Sequence, residues 1–309
     1  MSTALLVQPS GELWKKIRVE LNEDVSTRDQ DLAAIKEWLR KQPHLPDEWD
    51  DQCLMTFLRG CSFSLEKCKR KLDMYFTMRT ACPEFFTNRD IKRPELKDLM
   101  NRGQGPALPG LTPKGYRVIL TRALDNSLDP SHLTNVFKIA MMIGDIRLKE
   151  ELEGVAGDVY VLDASILVPS HLGKISPGTI KRFLICVQEA YPVKLKEIHV
   201  VNVSPLVDAV MSIVKPFLKD KIKKRIFIHN SLETLYEYVP KDMLPVEFGG
   251  TSGHLEDIQK AWEKKLDEYT DWFLAEESVK ANEALRPGKP TNYDELFGID
   301  GSFRQLSID

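Results

Sequence analysis

The sequence predicts an α/β protein: an N-terminal helical bundle followed by a largely parallel sheet flanked by helices. Three observations carry that prediction. Over the first ninety residues apolar side chains recur at helical spacing. The stretch NRGQGPALPGLTPKG (101–115) is dense in Gly and Pro and reads as a boundary loop. Beyond it, short runs rich in Val, Ile and Tyr alternate with helical segments, the pattern of strands joined by helical crossovers.

Thr27 and Gln30 have capping-box spacing ahead of Leu32, Ile35 and Leu39, which share one helical face, and Pro43 and Pro46 end that helix. A second helix carries Leu54, Phe57 and Leu58. A third begins near Ser64 with Leu65, Cys68, Leu72 and Tyr75. Strands are expected at 116–121, 159–162, 198–201 and 226–228, with helices at 132–152, 178–190 and 206–218 between them. Leu255, Ile258, Trp262, Leu266, Tyr269 and Phe273 mark a last amphipathic helix packing back on the rest, and the tail after Pro287 reads as irregular. The units expected are a helical domain (1–100), a larger domain (101–285) and a tail (286–309).

The chain has 309 residues, 42% of them hydrophobic and 29% charged, with net charge −3. That balance argues against a general nucleic-acid binder, and no nucleic-acid partner is expected. The N-terminus lacks the pattern of a signal peptide, and no run approaches the roughly 18 apolar residues of a membrane span. The five cysteines (Cys53, Cys61, Cys68, Cys82, Cys186) are scattered without a CxxC pair, which suits reduced thiols in the cytoplasm. The sequence has no GxSxG elbow, HExxH, P-loop or GxGxxG after a strand. His199 and His229 read as hydrogen-bonded structural histidines and Asp163 as a turn cap. No catalytic set converges, so neither an enzyme nor a cofactor or metal is expected.

The segment PLVDAVMSIVKPFLKDKIKKRIFIH (205–229) is different. At 100° per residue, Leu206, Val210, Ile213 and Phe217 form one apolar stripe, and Asp208, Ser212, Lys215 and Lys219 the opposite one. Val207, Met211, Val214 and Leu218 fill a flank between them, so the apolar arc spans about 200°. Pro216 gives a hinge at the helix end, and Lys219, Lys221, Lys223, Lys224 and Arg225 follow it. A movable apolar lid beside a basic landing pad is what an anionic membrane surface attracts, at about 1 kcal/mol per surface Lys or Arg.

These features, with DDQCLMTFLRGCSFSLEKCKRKL, QEAYPVKLKEIHVVN, VKPFLKDKIKKRIFIH and LPVEFGG in order, resemble the CRAL-TRIO family of lipid-binding proteins, and within it the tocopherol-transfer and retinaldehyde-binding branch. The resemblance implies a helical N-terminal domain and a CRAL-TRIO domain whose apolar cavity is closed by a gate helix at 204–217. It implies a carrier of one hydrophobic small molecule, with Phe137, Ala140, Met141, Gly144, Leu162, Phe183, Val187, Tyr191, Leu195, Ile198, Val207 and Val210 as cavity wall. Ala140 and Gly144 stand where the tocopherol carrier has small hydroxyl-bearing residues, which implies a drier, roomier pocket. Arg59, Lys194, Lys196, Lys221 and Arg225 are implied phosphoinositide contacts at peripherally bound membranes, with Cys61 standing where the family has a further arginine. The alternatives are a phosphatidylinositol-type exchange protein, which needs a polar headgroup niche, and a phosphoinositide-recruited adaptor.

Overall fold

The computed structural model describes residues 5–298. The N-terminal part is helical: α1 (Gly11–Leu21), α2 (Arg28–Arg40), α3 (Asp51–Gly60), α4 (Leu65–Ala81), α5 (Pro83–Phe86) and α6 (Pro94–Arg102). Asp50 caps α3 by accepting from the Cys53 N–H at 3.0 Å. Thr27 precedes α2 as its spacing predicts, but its side chain makes no cap bond, because its backbone (φ −115, ψ −14) is already helical where a capping side chain needs an extended one. Edge-on contacts among Trp49, Phe57, Tyr75 and Phe76 fill the bundle core.

The Gly- and Pro-rich stretch at 101–115 is not a loop. It holds the end of α6 and two strands, β1 (Gly103–Gln104) and β2 (Ala107–Leu111), both antiparallel to β3 (Tyr116–Ala123). Glycine and proline hide this from a propensity reading, yet both are tolerated at a sheet edge, where one side of the strand lacks a partner. After α7 (Leu133–Glu150), β4 (Gly157–Asp163) pairs in parallel with β3. Then come α8 (Pro169–Leu172), α9 (Pro177–Ile185) with a π-helical turn at Cys186–Ala190, β5 (Leu195–Val201), α10 (Leu206–Val214), α11 (Asp220–Lys223) and β6 (Ile226–Ile228). β4, β5 and β6 continue the sheet in parallel.

Both sheet faces are covered, which is why the strand centres, such as residues 118–120 and 159–162, read as short apolar runs. Val118, Leu120, Val159, Val161 and Val201 pack against Leu235 of α12 (Leu232–Leu235), Val239, Phe248 and Leu255. Ile119 and Tyr160, on the other face, meet Met142, Ile143 and Ile146 of α7. The last amphipathic segment forms two helices, α13 (Leu255–Glu268) and α14 (Thr270–Glu276), joined at Tyr269. The tail is more regular than expected: α15 (Tyr293–Phe297) docks Phe297 into the bundle core, an apolar anchor that fixes the chain. The rest of that expected tail, 299–309, lies outside the described residues. No helix among the described residues is long and apolar enough to cross a membrane.

Candidate ligand cleft and basic surface

The apolar residues expected to line a cavity come from α7, β4, α9 with its π-turn, β5 and α10. Phe137 and Phe183 stack face to face, ring centres 3.8 Å apart. Both rings are half-buried, as are Leu162, Val187, Leu195, Ile198 and Val210, while Ala140 is exposed. Three expected wall residues are instead tied into the packed interior. Met141 and Tyr191 are buried in the bundle core, and the Tyr191 hydroxyl donates to Asp145 at 2.6 Å. Gly144 leaves no added room, because the Tyr191 ring fills its place: a Cβ there would lie 3.2 Å from Tyr191 Cε1.

In α10 the polar stripe Asp208, Ser212 and Lys215 is exposed, as its periodicity predicts. The apolar arc is anchored differently from the expectation. The flank supplies the buried residues, Val207 and Leu218, while Leu206, Val210, Ile213 and Phe217 are half-covered. The reason is local: Val207 seats on Ala164 and Val200 at the ends of β4 and β5. The helix otherwise leans on α8 and α9. Pro216, which lacks an N–H, stops α10 and starts a 3-10 turn at Lys215–Phe217. The Gln188 side chain clamps the chain beyond it, donating to the Phe217 carbonyl and accepting from the Lys219 N–H, both at 3.0 Å.

Lys221 and Lys224 are exposed, with no ion-pair partner among the described residues. Lys219 and Lys223 pair with Glu189 and Asp220. Arg225 is half-buried and donates to the Leu195 carbonyl, which ties the patch to β5. Lys194 is half-buried, its ammonium 2.6 Å from Ser62 Oγ; burial, then repulsion from Lys196, pushes its pKa below the ordinary lysine value. Lys196 pairs with Glu20 at 2.6 Å. Arg59 departs from the surface role expected of it: it is buried, and its guanidinium is spent on Glu23 at 3.0 Å and on the Leu152 carbonyl. Cys61 is likewise buried, at the end of α3. Gly60 beside it lies so close to Pro192 that a Cβ would come within 2.0 Å of the Pro192 carbonyl oxygen.

His199 and His229 lie side by side. A His199 ring nitrogen lies 2.8 Å from one of His229, whose other nitrogen meets Thr234 Oγ1 at 2.7 Å. Asp163 caps a turn, accepting from the Ser165 N–H at 2.9 Å. Among the described residues no group of three or more His, Cys, Asp or Glu is placed to hold a metal ion. Sequence reasoning missed Glu20, Ser62 and Gln188, which bond Lys196, Lys194 and the chain just beyond Pro216. A signal for the first existed: Leu13, Ile17 and Leu21 recur at helical spacing and outline α1.

Residues 102–250 match the CRAL/TRIO domain model, and residues 24–96 the Pinta-like UBA domain. A human protein named alpha-tocopherol transfer protein-like is 32% identical over 272 residues, covering 86% of this chain and 77% of that protein. The chain belongs to the CRAL-TRIO family. A second CRAL-TRIO relative, clavesin-1 of Xenopus laevis, is 27% identical over 242 residues, 78% of this chain and 73% of the relative. Among solved structures, the crystal structure of Sfh5 aligns with a TM-score of 0.48 at 15% identity, covering 85% of this chain and all of that one. The α10–β6 region, with its half-covered apolar stripe and exposed lysines, lies within the matched CRAL-TRIO domain.

Proposed function

We propose that this protein is a cytoplasmic carrier. It holds one hydrophobic small molecule, tocopherol-, retinoid- or carotenoid-like, in an apolar cavity and transfers it at phosphoinositide-containing membranes. The observation that carries this reading is α10, an apolar helix with Leu206, Val210, Ile213 and Phe217 only half-covered, beside the exposed cations Lys221 and Lys224. A membrane stabilises an open α10 by accepting that stripe. The wall proposed for that cavity is formed by Phe137, Leu162, Phe183, Val187, Leu195 and Ile198, whose side chains are half-covered. Enclosing about 500 Å² of apolar ligand yields roughly 12 kcal/mol before association costs, so tight binding needs no strong polar contact. Lys194, Lys196, Lys221 and Arg225 are the proposed headgroup contacts. In this scheme the helical part to residue 100 and the tail as far as residue 298 buttress the carrier domain.

Native mass spectrometry of the purified chain tests the cargo: one apolar small molecule is expected. A co-purified phospholipid moves the protein to the exchange reading, and vesicle binding with an empty interior moves it to the adaptor reading. Replacing Lys221→Glu and Lys224→Glu together should slow transfer to anionic vesicles about tenfold or more while leaving cargo affinity unchanged.

A further inference from the structure

The basic surface proposed for membrane contact is partly occupied by the protein itself. Glu20, in the last turn of α1, places Oε1 2.6 Å from the Lys196 ammonium. Its backbone carbonyl accepts from Lys194 at 3.3 Å. The two partners differ in cover: the Glu20 side chain is 49% exposed and the Lys196 side chain 19%. Lys196 also lies over the Tyr116 ring, 5.3 Å from its centre. The cation is therefore fixed, and the carboxylate is the partner free to swing into water. The hydrogen bond from Lys196 holds the Glu20 carboxyl below its ordinary value, so it is ionised at neutral pH. The rest of α1 is anchored without Glu20: Ile17 and Leu21 bury against Ala156, and Trp14 donates to Glu153 at 2.7 Å. Releasing Glu20 thus leaves the helix in place.

We propose that Glu20 is a carboxylate latch, an internal competitor that an anionic membrane lipid must displace from Lys196 before this surface engages in full. The proposal rests on the membrane reading of Lys194, Lys196, Lys221 and Arg225 given above. Its consequence is selectivity. A headgroup carrying one net charge exchanges one singly charged partner of Lys196 for another and gains little. A phosphomonoester carries about −1.5 to −2 charges and three strong acceptor oxygens, so it displaces the latch at a profit in free energy. The partner this surface fits is a bilayer bearing phosphomonoester lipids.

The test is cosedimentation of the full chain with phosphatidylcholine vesicles doped, at matched surface charge, with phosphatidylserine or with phosphatidylinositol bisphosphate. Glu20→Gln should bind phosphatidylserine vesicles about fivefold better than the native protein, the worth of one released surface lysine. It should gain less on bisphosphate vesicles, so the preference between the two narrows. Glu20→Gln binding both vesicles as the native protein does, while Lys221→Glu with Lys224→Glu loses binding, overturns the latch and leaves the membrane reading standing. Native-like binding by the double lysine variant overturns the membrane reading itself. A Glu20→Ala variant guards against a new contact from the glutamine: a gain by Gln that Ala does not share overturns the latch.

Discussion

His199 and His229 show how single residues set the conditions under which this molecule holds together. His199 stacks on Phe227, ring centres 5.2 Å apart, and sits 4.8 Å from the Tyr238 ring centre. Its second nitrogen faces Glu197 at 3.2 Å, while His229 faces Thr234 and feels Glu237. Burial lowers the pKa of both rings, and the attraction of Glu197 and Glu237 does not restore it. The native state therefore favours neutral rings, whereas the unfolded chain takes up protons as pH falls through about 6.5. The contribution is present above that pH and lost below it. Urea midpoints should fall as the pH is lowered from about 7 through 6.5 and below. In His199→Asn that slope should flatten; parallel slopes in the two proteins would remove the histidines as its cause.

At the scale of elements, α10 is held at two points, Val207 at its start and the Gln188 clamp beyond its end. Val207→Ala should cost about 1.5 kcal/mol, the burial of two methyl groups, whereas Val210→Ala, half-covered, should cost less than about 1 kcal/mol. Gln188→Ala removes both clamp hydrogen bonds and a third to the Leu184 carbonyl, each worth about 1 kcal/mol, and should speed amide exchange around Leu218 and Lys219 about tenfold or more. Unchanged exchange there would mean that the clamp does not restrain the segment beyond α10. The sequence made much of this legible. Central strands buried on both faces announce themselves as Val- and Ile-rich runs, and the polar stripe of α10 follows from its period alone. What periodicity does not reveal is which part of a wide apolar arc finds a partner, because Ala164 and Val200, which receive Val207, come from the end of β4 and from β5. The same limit explains Arg59: the FLRGC motif gives its identity but not Glu23, the distant carboxylate that draws it inward. β1 and β2 were illegible because their pairing with β3 is tertiary and their composition is that of a turn.

Over the whole molecule, one buried carboxylate joins parts far apart in sequence. Asp145 of α7 accepts from Tyr75 at 2.9 Å, Tyr191 at 2.6 Å, Arg79 at 3.1 Å and Arg89 at 2.6 Å. Burial alone would raise its pKa, but Arg89 and Arg79 outweigh that and keep it ionised. Arg79 reaches onward to the Glu276 carbonyl of α14 at 2.7 Å. Asp145→Ala leaves Arg89 buried without its counter-charge and Arg79 with only the Glu276 carboxylate at 3.8 Å, and should cost about 3–5 kcal/mol. The helical bundle and the sheet should still melt in one transition, since Tyr75 and Met141 lie in the same packed core; two separated transitions in the native protein would contradict that coupling. The approach of Gly60 to Pro192 carries this unity further. With a backbone oxygen where even a methyl group would need to sit, the joint between bundle and sheet has no slack. Any amino acid but glycine at 60 would act as a wedge driven into it. This join is a weld, and in the carrier proposed above any movement that admits a guest must fall elsewhere in the frame.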